Sequence, residues 1–258
     1  MTQRAKGTWV ITGAASGFGR AFAQHLANRG DPLALWDVDQ RGLAETASML
    51  PTTRTHQVVV DVTDVTSVQR AATETLEVLG SVAHVIHSAG VLRIGPAATM
   101  DPSDYELMMR VNFLGSVHVA QSLLPQLRDA DGRATLMLVS SVAGLRGFPE
   151  LAGYSASKFA LVGFAQALRD ELHGTNVDLR VLCPPPGDTP MVQNLPTRPP
   201  VYKLSRLFQP EEIVQTAMAR LDNSEWLMLV DLGSKALWRV GNVAPRLLDR
   251  IIRFASRR

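Results

Sequence analysis

The chain has 258 residues, 46% hydrophobic and 19% charged, with a net charge of +2, which is enough to bury one large core without disulfides or metal and too weakly basic for a nucleic-acid-binding surface. Its single cysteine, Cys183, excludes an internal disulfide and points to a reducing compartment or to indifference to redox. No apolar run approaches the roughly 18 residues that span a bilayer.

The first apolar run, Thr8–Thr12, follows a few charged residues in the manner of a signal peptide but passes straight into glycines, so it reads as a strand. The expected location is therefore cytoplasmic. The turn that follows, Thr12-Gly13-Ala14-Ala15-Ser16-Gly17-Phe18-Gly19, has the composition of a phosphate-binding turn. Glycines let the backbone approach a pyrophosphate, and the helix expected over Gly17–Arg29 offers it free N–H groups and a positive dipole end. A second strand, Leu33–Trp36, delivers Asp37 about 20 residues past the glycines, where a carboxylate accepts hydrogen bonds from an adenosine ribose and repels the extra phosphate of NADP. NAD is thus the expected cofactor, with NADP as the alternative because Arg20 and Arg41 lie nearby. A third strand, Gln57–Val60, ends at Asp61 and Val62. A fourth, Ala83–His87, ends at Ser88, Ala89 and Gly90. Both ends face the same crevice, Asp61 toward an adenine amino group and Gly90 where the backbone must come close to the adenosine.

Helices are expected over Val65–Leu79 and Pro102–Leu127. The second holds Asn112, a poor helix former that needs a reason such as a side-chain hydrogen bond or a held water. The fifth strand, Thr135–Ser140, leads to Ser141 and then to a helix-like segment, Ala156–His173, with Tyr154 and Lys158 at its start. Tyr154 and Lys158 are four residues apart and share a face. A lysine ammonium there favours the phenolate, lowers the tyrosine pKa and makes the phenol usable as an acid or base. The Ser141 hydroxyl is placed to hold a substrate oxygen beside it. A sixth strand, Asp178–Leu182, opens onto an aperiodic, proline-rich stretch, Cys183–Gln209, before a helix over Glu211–Leu221 and a last strand, Trp226–Val230. Strands apolar on both faces, alternating with helices, imply a doubly wound parallel sheet in three α/β/α layers, a Rossmann fold. Residues 1–232 are expected to form one domain that includes a substrate loop, 183–210.

With these motifs in order, the chain resembles the short-chain dehydrogenase/reductase family from about Thr8 to Leu221. The glycine turn matches the family's Thr-Gly-x-x-x-Gly-x-Gly, and Tyr154 and Lys158 match its Tyr-x-x-x-Lys. Ser141 and Asn112 stand in the places of its catalytic serine and asparagine. The resemblance implies that Tyr154 is the general acid or base and that Ser141 steadies the carbonyl or alkoxide oxygen. It implies that Lys158 binds the nicotinamide ribose, that Asn112 holds a relay water, and that no metal is needed. Two places depart from the pattern: His87-Ser88-Ala89-Gly90 replaces Asn-Asn-Ala-Gly, and Pro184-Pro185-Pro186-Gly187-Asp188-Thr189-Pro190 follows the sixth strand. The second run is similar to that of the family's lipid-metabolising, 3-ketosphinganine-reductase-like members. It implies cofactor contacts at Pro184, Gly187 and Thr189, the last on the nicotinamide carboxamide. The resemblance also implies a homodimer or homotetramer paired through Pro102–Leu127 and Ala156–His173.

The substrate loop carries Met191, Val192, Leu195, Val201, Tyr202, Leu204, Leu207 and Phe208, which favours an apolar alcohol or ketone. The leading expectation is an NAD(H)-dependent oxidoreductase that interconverts a secondary alcohol and a ketone. An NADPH-dependent reductase of 3-keto lipids is the alternative, and a non-catalytic dinucleotide sensor on the same fold is the alternative of another class. After Val230 the chain continues as a basic amphipathic extension, 233–258, with Leu237, Trp238, Val240, Leu247, Leu248, Ile251, Ile252 and Phe254 near helical spacing. Lys235, Arg239, Arg246, Arg250, Arg253, Arg257 and Arg258 face elsewhere. Its expected role is to pack over the substrate loop or a partner subunit, with peripheral membrane contact as the other reading.

Overall fold

A computed structural model describes residues 3–50, 53–199, 201–202 and 206–255. Seven parallel strands lie in the order β3-β2-β1-β4-β5-β6-β7: β1 Thr8–Thr12, β2 Leu33–Asp37, β3 Thr55–Val59, β4 Val82–His87, β5 Ala134–Val139, β6 Val177–Leu182 and β7 Leu227–Met228. The order reverses between β1 and β4, which opens the crevice where ligands bind in such sheets. The central strands are buried along their whole length because successive side chains enter opposite layers. Trp9 and Ile11 join Phe22 and Leu26 of α1 (Gly17–Ala27) and Ile213 of α8 (Pro210–Ala219) on one side. Val10 and Val85 join Val68 of α3 (Val65–Leu79), Leu123 of α5 (Gly115–Arg128) and Leu161 of α6 (Ala152–Glu171) on the other. This is the three-layer, single-domain Rossmann arrangement expected from the alternating runs.

Three local departures bear on the site. The single helix expected over Pro102–Leu127 is instead α4 (Pro102–Met109), a π-helical segment at Arg110–Leu114, and α5. The segment's one extra residue per turn re-aims Asn112 into the protein. Helix α6 begins at Ala152, four residues before the expected start, so Tyr154 and Lys158 are both fully helical. The edge strand β7 is two residues long rather than the expected five, in keeping with short edge strands that resist pairing with other chains.

The remaining helices are α2 (Gln40–Ser48), α7 (Pro190–Gln193) within the proline-rich loop, α9 (Leu232–Val243) and α10 (Pro245–Ala255). No helix among the described residues is long and apolar enough to cross a membrane.

Candidate active site

The carboxyl ends of β1, β2, β4, β5 and β6 open into one cavity of about 940 Å³. Its floor is the glycine turn. Gly13 has φ 67°, and a Cβ there would stand 2.8 Å from the Ala89 nitrogen; a Cβ on Gly19 would stand 2.0 Å from the Gly13 oxygen. Only glycine lets α1 start this close to β1 and β4. The N-cap residue of α1, Ser16, makes no side-chain cap bond, so the first-turn N–H groups face the cavity with Ser16, Gly17 and Phe18 in its lining. This fits the diphosphate of a dinucleotide.

Asp37 closes one wall. Its Oδ2 accepts from the Ala15 N–H at 3.0 Å and its Oδ1 from the Asp39 N–H at 3.0 Å, which locks the carboxylate against the glycine turn. The two arginines that keep NADP in view are engaged elsewhere. Arg41 pairs with Glu45 at 3.2 Å, and Arg20 donates to the Thr46 hydroxyl at 2.9 Å and to the Ala15 carbonyl. Asp61 and Val62 line the same wall; Asp61 Oδ1 accepts from the Thr63 N–H at 2.8 Å.

Opposite Asp61, Ser88, Ala89 and Gly90 are held by a residue whose role the sequence reading missed. The Thr12 hydroxyl accepts from the Ser88 and Ala89 N–H groups, both at 3.1 Å, and lies 2.9 Å from His87 Nδ1. Because Thr12 Oγ1 already accepts twice, it donates its proton to His87, and burial pushes the histidine pKa down to about 3 and keeps the ring neutral. His87 thus supplies an acceptor where the family pattern has asparagine.

Three of the four expected catalytic residues, Ser141, Tyr154 and Lys158, line the far half of the cavity, and Asn112 lies behind its lining at Gly90 and Val91. Ser141 caps the short 3-10 turn Val142–Gly144, its hydroxyl accepting from the Ala143 N–H at 3.1 Å. Tyr154 is buried across from it, and Lys158 Nζ lies 5.9 Å from the Tyr154 ring centre while donating to the Val139 carbonyl at 3.0 Å. Asn112 is fully buried. Its Oδ1 accepts from the Val91 N–H at 2.8 Å, and its Nδ2 donates to the Val91 carbonyl and the Ser157 hydroxyl, each at 2.9 Å. The expected side-chain hydrogen bond is present, and both amide hydrogens are spent on protein partners, so the amide nitrogen has none left to donate to a relay water.

A second correction concerns Tyr154. Its pKa is raised, first by burial and then by the neighbouring Tyr202 phenol, with the Ser141 hydroxyl pulling the other way. Lys158 does not set the direction, because burial drops its own pKa to about 8 and its ammonium is turned to the Val139 carbonyl.

The loop after β6 closes the cavity. The Pro184 carbonyl accepts from the Val142 N–H at 3.1 Å, Gly187 bridges Phe208, and Thr189 is buried at the start of α7. A Cβ on Gly187 would meet the Phe18 ring at 2.6 Å, so the loop sits directly on the glycine turn. Of the apolar loop residues, Met191, Val192, Val201 and Tyr202 line the cavity and Leu195 packs against the same cluster. Phe208, expected on the substrate side, packs instead with the α1 layer under the Arg206 guanidinium. Leu204 lies outside the described residues, as do Arg257 and Arg258 of the extension. The extension itself enters the site: Gly233, Ser234 and Leu237 of α9 line the cavity. Their sequence gives no periodic or motif signal of that contact.

Residues 8–199 match the family described as short chain dehydrogenase. Human 17-beta-hydroxysteroid dehydrogenase 13 is 33% identical over 94% of this chain and 81% of that protein. The CLA biosynthesis dehydrogenase/reductase of Lactiplantibacillus plantarum is 32% identical over 74% of this chain and 68% of that protein. A short chain dehydrogenase/reductase from Burkholderia phymatum, solved in complex with NAD, superposes with a TM-score of 0.86 at 26% identity, covering 96% of each chain.

Proposed function

Because this chain belongs to the short-chain dehydrogenase family and is an NAD(P)-dependent oxidoreductase acting on CH–OH donors, we propose that it interconverts an apolar secondary alcohol and its ketone with NAD(H). The observation that carries the reading is the shape of one cavity. At one end it offers a glycine turn and Asp37; at the other, Ser141 and Tyr154 sit under an apolar roof of Leu92, Val142, Phe148, Val201 and Leu237. Bound NAD(H) supplies the hydride acceptor or donor. Gly13, Ser16, Gly17, Phe18 and Gly19 receive its diphosphate and Asp37 its adenosine ribose. Asp61, Val62, Ser88, Ala89 and Gly90 border the adenosine. Pro184, Gly187 and Thr189 border the nicotinamide, and Lys158 its ribose.

The chain's own groups manage the proton. Tyr154, with its pKa raised, is protonated at neutral pH and donates its hydroxyl proton to a ketone oxygen as the carbon gains hydride. In the reverse direction the phenolate takes the alcohol proton as the carbon loses hydride. Ser141 donates a hydrogen bond to the same oxygen and steadies its developing charge. Asn112 ties the Val91 backbone to Ser157, which lies three residues after Tyr154 and next to Lys158, and so fixes the cavity wall at Val91 to the helix that carries them. The name of one relative, a hydroxysteroid dehydrogenase 33% identical to this chain, supports a bulky apolar substrate. Partly exposed Leu114 and Phe159 on the α5 and α6 layer are where two copies would pair.

Turnover of a panel of alcohols and ketones, short and long, run with both cofactors tests the reading. Long apolar substrates with NAD(H) are expected to give the highest kcat/KM. Preference for NADP(H), or for small polar substrates, overturns it.

A further inference from the structure

The extension does two things at once. Helix α10 carries an apolar arc with one edge buried and the other exposed. Leu248 and Ile252 are buried in the cluster that roofs Tyr154, beside Leu237 and Val240 of α9. Leu247, Ile251 and Phe254 stand 53%, 46% and 68% exposed, and Val243, just before the helix, 87%. At about 100° per residue, the three exposed side chains fall within about 60° of one another, contiguous with the buried edge. Arg250 borders their outer side, with Arg246 and Arg253 beyond it. Residues 232–258 hold seven basic side chains and one acidic, a balance of +6 in a chain whose total is +2, so the other 231 residues carry −4. Positive charge is thus concentrated in the segment whose last helix, itself with three arginines against one aspartate, also leaves apolar surface in water.

We infer that α10 lies in the interface of an anionic bilayer, with Leu247, Ile251 and Phe254 entering the acyl boundary and Arg246, Arg250 and Arg253 meeting lipid headgroups. A contiguous apolar strip rimmed by arginines is the geometry of an interfacial helix, and anionic lipid attracts each basic residue near its surface. A second copy of this chain fits the face poorly. A two-fold contact sets a patch against itself, which brings the arginines of one copy onto those of the other. The consequence for the site is direct, because the same helix roofs the substrate end: an apolar substrate dissolved in the bilayer is presented next to the cavity. That consequence rests on the proposed substrate class, whereas lipid binding does not.

Co-sedimentation separates the two. The full chain is expected to pellet with phosphatidylcholine–phosphatidylserine vesicles at low salt and to be released as salt rises, while binding pure phosphatidylcholine far less. Leu247→Ser/Ile251→Ser and, separately, Arg246→Gln/Arg250→Gln are each expected to weaken binding by on the order of 10-fold or more. Melting temperature and turnover of a water-soluble alcohol should stay unchanged. The charge variant keeps the test intact if the serine variant melts early. Full chain that stays in the supernatant at low salt overturns the inference. So does binding by both variants that matches the unaltered chain, or a fall in molar mass of the serine variant by light scattering, which would make the face a subunit contact.

Discussion

The two ends of the cavity are built by different forces. At the cofactor end, backbone meets backbone and polar side chains: Gly19 against Gly13, Asp37 on the Ala15 N–H, the Thr12 hydroxyl on two successive amides. Hydrogen-bond geometry tolerates little displacement, so few residue types serve at each position. At the substrate end, Leu92, Phe148, Val201, Leu237, Leu248 and Ile252 meet through apolar contact, which is non-directional and accepts any group of suitable volume. The first end fixes a constant ligand, and the second can be reshaped for a different one. A variant at one end should therefore leave the other end's ligand alone.

The largest expected effect lies where the two ends meet. Tyr154→Phe keeps the ring in the apolar cluster and removes the transferable proton, so kcat/KM should fall roughly 10²–10⁴-fold, with NADH binding, read by fluorescence, unchanged. In the unaltered enzyme, burial holds the phenol above its ordinary pKa. Alcohol oxidation, which needs the phenolate, should accelerate as pH rises through 8 to 10, whereas ketone reduction should not. A pH-independent oxidation rate would remove Tyr154 from the proton path.

Next in size is the substrate roof. Leu248 is 6% exposed at the rim of the cluster, and Leu248→Ala should cost about 2 kcal/mol, the low end for a buried leucine, measurable by denaturant unfolding. The KM for a long apolar ketone should rise several-fold and the Kd for NADH should hold. An equal loss of NADH affinity would show that the two ends are mechanically coupled, which breaks the comparison.

This division also decides what the sequence revealed. Motif positions such as Gly13, Asp37 and Ser141 were legible because each depends on local geometry at a strand end, and strand ends follow from apolar runs; Tyr154 was legible from its four-residue spacing to Lys158 on one helix. The Thr12–His87 bond was not, because it joins residues 75 apart across two strands and carries no spacing rule. The split of Pro102–Leu127 around Arg110–Leu114 was hidden for a different reason. A π-helical turn keeps helical composition and announces itself only through the bonds that Asn112 makes. The extension showed its amphipathic period, yet no pattern within it tells which edge of the arc is covered, since that depends on Phe148, Leu151 and Leu92 far away in the chain.

The smallest expected effect sharpens the cofactor end alone. Asp37→Asn keeps an oxygen to accept from the Ala15 N–H, gives up the second acceptor at the Asp39 N–H and removes the charge, so it tests the electrostatic role with the contact to the glycine turn retained. The ribose contact weakens without vanishing, and about a tenfold loss in kcat/KM with NAD is expected, equivalent to about 1.4 kcal/mol. NADP should gain relative to NAD, because a 2′-phosphate no longer meets a negative charge. The gain should be partial. Arg41 pairs with Glu45, Arg20 is bound to Thr46, and Val38, next along the chain, offers no cation. Freeing the arginines tests that limit: Asp37→Asn combined with Glu45→Ala should raise the NADP-to-NAD ratio beyond either change alone, with Km for an apolar ketone constant. A wild-type enzyme that already prefers NADP, or a double variant that adds nothing, would mean that Asp37 does not govern the choice.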